Sequence, residues 1–119
     1  MHAAGLKAQL WWAPLGPDAG PRTAREHPGW LLRNPDGSTR AISWWDSQYL
    51  CPALDGVRAD AAGFVRKALG EWGFDGLKID GQHLNAAPEC FDPSHHHASP
   101  AGAPEGVPRF FEAIWESAQ

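Results

Sequence analysis

Only three residues separate Trp72 from Gly76, and that short turn constrains the fold more than any other feature of this chain. Before it, Val57, Ala61, Phe64, Val65, Ala68, Leu69 and Trp72 recur at three- and four-residue steps, the spacing that puts one apolar stripe on a helix. Asp55-Gly56 is a plausible start, with Asp55 able to cap free N–H groups, and Gly73 suits a left-handed stop. After the turn, Gly76-Leu77-Lys78-Ile79-Asp80 reads as a short strand. Ahead of the helix, Gly5 to Pro14 reads as another strand. There Leu6, Ala8, Leu10 and Trp12 alternate with Lys7, Gln9 and Trp11, and Pro14 ends the ladder. Strand, long loop, helix, short turn, strand is a βαβ pattern, so the expected class is α/β with a parallel sheet.

The connections are unusual. Residues 15–54 hold Pro17, Pro21, Pro28 and Pro35, and Asn34-Pro35-Asp36-Gly37 is a turn signal. A connection of that length with little regular structure is more often functional than idle. A second long loop follows Asp80 to about Gly106. A last helix then begins near Pro108, with Phe110, Phe111, Ile114 and Trp115 as its buried face. Two strands with their helices cannot close a barrel, and a two-stranded parallel sheet leaves both edges open. The chain therefore reads as a slice of a larger domain, about two βα units with long βα loops.

Composition excludes several classes. With 43% hydrophobic and 20% charged residues, the 119 residues are ordinary globular sequence. A net charge of −4 predicts no nucleic-acid partner, and no apolar run approaches the ~18 residues of a membrane span. Met1 to Gly5 lacks the basic and apolar regions of a signal peptide, which leaves localisation open where the natural start is unknown. Cys51 and Cys90 are too few for a disulfide framework and are expected as free thiols. The seven tryptophans include two adjacent pairs, Trp11-Trp12 and Trp44-Trp45. Neighbours on a strand point to opposite faces, so one member of such a pair faces a cavity or another layer. Flat aromatic faces suit sugar rings as well as core packing.

Lys78 and Asp80 are two apart and share one strand face. A lysine beside a carboxylate keeps it ionised, as a nucleophile requires, and its three donors can hold a hydroxyl. Spacing alone fits a strand-end ion pair somewhat better than a nucleophile. The surrounding residues add to this. Leu10-Trp11-Trp12-Ala13-Pro14, Glu26-His27-Pro28-Gly29-Trp30, Leu50-Cys51-Pro52-Ala53-Leu54-Asp55 and Asp75-Gly76-Leu77-Lys78-Ile79-Asp80 follow in order. This succession resembles the catalytic barrel of the melibiase-type α-galactosidases and raffinose synthases. The resemblance implies a partial (β/α)8 TIM barrel, a retaining mechanism, an α-galactoside oligosaccharide or glycoconjugate substrate, and no cofactor.

Carried over by position, the resemblance implies that Asp80 is the nucleophile, that Lys78 binds sugar hydroxyls and that Trp11 lines the sugar pocket. Trp12 faces the other way and is expected to pack behind the sheet. Trp45 and Asp46 lie in the loop that would cover the site, and His83 is near enough to Asp80 in sequence to touch substrate. The acid/base carboxylate of such enzymes belongs to a later strand. Neither Asp75, ahead of its strand, nor Asp92, in a loop, is placed to replace it. The isolated chain is thus expected to have little activity. Galactosyl transfer to another sugar, or a non-catalytic carbohydrate-binding role, are the alternatives. Cys90, Asp92, His95, His96 and His97 invite a metal reading, but a tetrahedral site wants two spaced ligand pairs and the sequence offers no second pair, so no metal is expected.

Overall fold

Seven regular elements order the described residues: strand β1 Gln9–Trp12, strands β2 Ala41–Ile42 and β3 Ser47–Gln48, helix α1 Asp55–Arg66, strand β4 Gly76–Ile79, helix α2 Gly102–Glu105 and helix α3 Val107–Ser117. The computed structural model describes residues 5–15, 26–42, 47–79, 88–95 and 97–119. Asp80, Trp44, Trp45, Asp46, His83 and His96 lie outside them.

β1 and β4 pair in parallel, Gln9 opposite Gly76, Leu10 opposite Leu77, Trp11 opposite Lys78 and Trp12 opposite Ile79. The result is a small α/β unit built on a two-stranded parallel sheet. The pair is clamped at its start: the Ala8 amide donates to the Asp75 carboxylate at 2.6 Å, and the Asp75 amide donates to the Ala8 carbonyl at 2.8 Å. The first strand is shorter than its alternation predicts, because pairing begins only at Gln9.

Helices α1 and α3 pack together on one face of this sheet. Leu15, Leu31, Leu50, Val57, Ala61, Val65, Phe110 and Ile114 form the core, and Trp12, Leu77 and Ile79 pack against it. Trp12 meets Phe64 of α1 with ring centroids 4.5 Å apart, which is the packing role its position predicts. Strand alternation then puts Gln9, Trp11, Gly76 and Lys78 on the opposite face, away from the helices.

The helix over residues 57–72 is present, with a difference at each end. It starts at Asp55, whose carboxylate pairs with Arg58 instead of capping the free amides, and Leu54 occupies the cap position without a side-chain bond. Its last turn, Lys67–Glu71, widens to π geometry. It stops at Gly73, whose φ of 73° is the left-handed conformation expected there. Trp72 and Trp115, both assigned to buried stripes, are instead 52% and 69% exposed. Trp72 rests its edge on Phe64 and lies beneath Lys67, while Trp115 borders an apolar groove of about 460 Å³ with Leu69, Leu77, Ile79 and Phe111. Among the described residues no helix is long and apolar enough to cross a membrane.

The connection from β1 to α1 is better anchored than its prolines suggest. β2 and β3 pair antiparallel within it, the Leu32 amide bonds the Tyr49 carbonyl, and the Leu50 amide bonds the Leu15 carbonyl, each at 2.9 Å. Within the same connection Trp30 stacks on His27 at 3.8 Å and presses its indole onto Gly56. A second cluster, Leu32, Tyr49, Cys51, Cys90 and Ala103, is buried beneath this connection and the one that follows β4.

Candidate functional site

Two constellations stand out, one on the sheet and one between the loops. On the sheet, the parallel register brings Trp11 and Lys78 side by side near the C-terminal ends of β1 and β4. Cross-strand partners share a face, so an indole face and an ammonium group project together from the side that no described helix covers. Trp11 is 52% exposed and Lys78 is exposed. A flat apolar surface beside a three-donor cation can take a polyhydroxylated ring, with C–H groups on the indole and hydroxyls on the ammonium. The remaining residues expected at this site, Asp80, Trp45, Asp46 and His83, lie outside the described residues.

Asp75 and Asp92 are occupied elsewhere. Asp75 holds Ala8 at the opposite end of the sheet, where β4 begins. Asp92 accepts from the Ser94 amide at 2.9 Å and from its hydroxyl at 2.6 Å, and its other oxygen lies 3.2 Å from His95 Nε2. Burial works to raise the Asp92 pKa, but the Ser94 hydrogen bonds and the nearby His95 and Arg33 charges bring it below the ordinary carboxylate value.

Between the loops, Cys51, Cys90, His95 and His97 converge, with one ligating atom of each lying within 4.8 Å of all the others. Both cysteines are fully buried free thiols and His95 is 7% exposed. Their hydrogen bond to each other moves the two thiols in opposite directions, Cys90 below its ordinary value and Cys51 above it, with burial adding to the second shift. Sequence reasoning assembled Cys90 with the histidine run but not Cys51, which enters from the connection on the other side of the helix. A Cys-x4-His-x-His run facing a lone upstream cysteine was the available signal, and only the fold shows that the two meet.

No family model matches the chain. It is 31% identical, over 98% of its own length, to a curated protein of Flavonifractor plautii named A type blood α-D-galactosamine galactosaminidase. Among solved structures it superposes on an α-galactosidase of Thermus thermophilus, in complex with p-nitrophenyl α-D-galactopyranoside, with a TM-score of 0.72 and 30% identity over 98% of the chain. Over almost its whole length the chain is similar to a part of the melibiase-type α-galactosidases. A GH36 α-galactosidase of Geobacillus stearothermophilus, 18% identical over 98% of the chain, shares the fold with a TM-score of 0.69. The chain spans 11% of the curated relative, 22% of the Thermus structure and 16% of the Geobacillus one.

Proposed function

We propose that these residues form two adjacent βα units of the catalytic (β/α)8 barrel of a retaining α-galactosidase-like glycosidase, with no complete domain among them. The observation that carries this reading is the Trp11–Lys78 pair, aligned across β1 and β4 on the face away from the helices. In such barrels the C-terminal ends of the strands and the loops above them build the active site. Both connections that leave these strand ends are the long ones in this chain, which supports the reading.

In this mechanism the Asp80 carboxylate attacks the anomeric carbon of a terminal α-linked galactose as the glycosidic C–O bond breaks. A second carboxylic acid protonates the departing oxygen. The same group then deprotonates a water, which attacks the anomeric carbon and releases Asp80. Lys78, next but one in the strand, keeps Asp80 ionised and donates to ring hydroxyls, while Trp11 supplies the apolar wall. The second carboxylate comes from outside these residues, since Asp75 and Asp92 are held in other bonds. The relatives are named a galactosaminidase and an α-galactosidase, names of sugar-cleaving enzymes, which favours water over a sugar as acceptor. The name of the Flavonifractor protein favours a second reading in which the sugar is an α-linked galactosamine.

The test uses the protein at its full natural length. A 2-deoxy-2-fluoro-α-galactosyl fluoride should inactivate it and leave one fluorosugar on the peptide that contains Asp80. Attachment to any other carboxylate sinks the assignment. Parallel assays on aryl α-galactoside and aryl α-galactosaminide decide between the two sugars.

A further inference from the structure

We propose that Cys51, Cys90, His95 and His97 form a closed, structural tetrahedral zinc site that ties the connection following β1 to the connection following β4. The proposal is independent of the glycosidase reading, because it concerns how the two loops are held and not what chemistry they enclose.

The donor set comes first. Two thiolates and two imidazoles form the Cys2His2 combination of structural zinc sites, and soft sulfur ligands exclude magnesium and calcium. Four protein ligands leave no open position, so the ion would brace rather than catalyse. The dimensions agree. Zn–S bonds of about 2.3 Å and Zn–N bonds of about 2.0–2.1 Å put tetrahedral ligands roughly 3.3–3.8 Å apart. Cys90 Sγ and His95 Nδ1 already stand 3.3 Å apart, and no pair in the set exceeds 4.8 Å. Closing the widest pair onto an ion takes a movement of about 1 Å.

Two further observations point to a ligand. His97 Nε2 is buried and has no hydrogen-bond partner among the described residues. A buried polar atom left that way is costly, and a metal ion removes the cost. His95 is oriented from behind: its Nε2–H donates to the Gly29 carbonyl at 2.6 Å, with the Asp92 carboxylate 3.2 Å away. That bond puts the proton on Nε2 and leaves Nδ1 as the acceptor nitrogen, aimed at the Cys90 sulfur 3.3 Å away. A carbonyl or carboxylate behind the distal nitrogen is the usual support of a metal-bound histidine.

The site would join two segments that already pack together through the buried cluster of Leu32, Tyr49, Cys51, Cys90 and Ala103. Cys51 precedes α1, whereas Cys90, His95 and His97 follow β4. Their backbones meet through the bond from the Phe91 amide to the Arg33 carbonyl at 3.0 Å. One ion would add four strong bonds to that junction, between the two connections that leave the Trp11–Lys78 end of the sheet.

The experiment begins with the full-length protein, purified without a polyhistidine tag from zinc-supplemented medium. Elemental analysis should find about one zinc per chain, and X-ray absorption should find two sulfur and two nitrogen neighbours at the bond lengths above. Cobalt added to the chelated protein should give the strong visible bands of a tetrahedral thiolate site. Cys51→Ser and Cys90→Ser should each lose the zinc, and Asp92→Asn should weaken its binding by about 10–100-fold. Because the serine variants can fail for want of folding, the absorption and cobalt spectra of the unaltered protein decide. A first shell without sulfur, a chain with no zinc after growth in zinc, or mass loss showing a Cys51–Cys90 disulfide would each overturn the proposal.

Discussion

The rim of the sheet and the cluster between the loops are opposites in construction. Trp11 and Lys78 stand exposed on an open face, and a single strand register aligns them. Cys51, Cys90 and His95, all buried, and the partly buried His97 are gathered from two connections into a knot held by backbone bonds, an aspartate and a glycine carbonyl. The difference matches what the two proposed roles require. Groups that receive a substrate must be reachable and need only be oriented by a rigid strand. Groups that hold an ion must be closed off and supported from behind.

That contrast can be broken at either end. The largest effect is expected from Asp80→Asn, which should lower kcat/KM of the full-length protein by about 10³-fold or more, since it removes the proposed nucleophile. Steady-state kinetics with an aryl α-galactoside check it, and metal content should not change. Chelation comes next: at a thousandfold excess of zinc over Kd the ion contributes about 4 kcal/mol. Its removal should lower the midpoint of chemical unfolding accordingly, with zinc restoring it. An unfolding curve indifferent to chelator would erase the difference between the two regions.

Lys78→Met should cost about 10²-fold in kcat/KM through lost contacts to charge developing in the transition state. It should leave zinc content and unfolding midpoint where they were. If Lys78→Met instead destabilised the fold as chelation does, the rim would be structural too. The smallest effect expected is that of Gly56→Ala. Its new Cβ would lie 2.8 Å from Cζ2 of Trp30, so the indole must shift, at about 1–3 kcal/mol. Urea unfolding measures this, and the change should weaken the loop that carries Gly29 without touching Lys78.

Much of the scaffold was legible in the sequence because its signals are local. The three-residue turn, the stripe from Val57 to Leu69 and the left-handed Gly73 all rest on spacing along one helix, and the structure keeps them. Trp12 was legible for the same reason, since alternation sends it to the helix side. Where local signals misled, a tertiary neighbour was missing from the reasoning. Trp72 and Trp115 have stripe spacing, but their neighbours cover them only in part, and they stay exposed. Asp55 has capping chemistry, yet Arg58 one turn on takes its carboxylate.

The candidate sites divide along the same line. Trp11 and Lys78 were named from short motifs at strand ends, and their order in the chain carried the resemblance to a glycosidase clan. The sequence by itself thus determined a βαβ unit and the residue types at its rim, because strand alternation and helical periodicity are properties of neighbours in the chain. Only the tertiary structure decided that Trp11 stands beside Lys78, since register depends on how two distant strands align. It alone decided that Cys51 meets Cys90, His95 and His97. Those residues belong to different connections, and no period links them. Burial and the folding of one loop onto another bring their ligating atoms within reach.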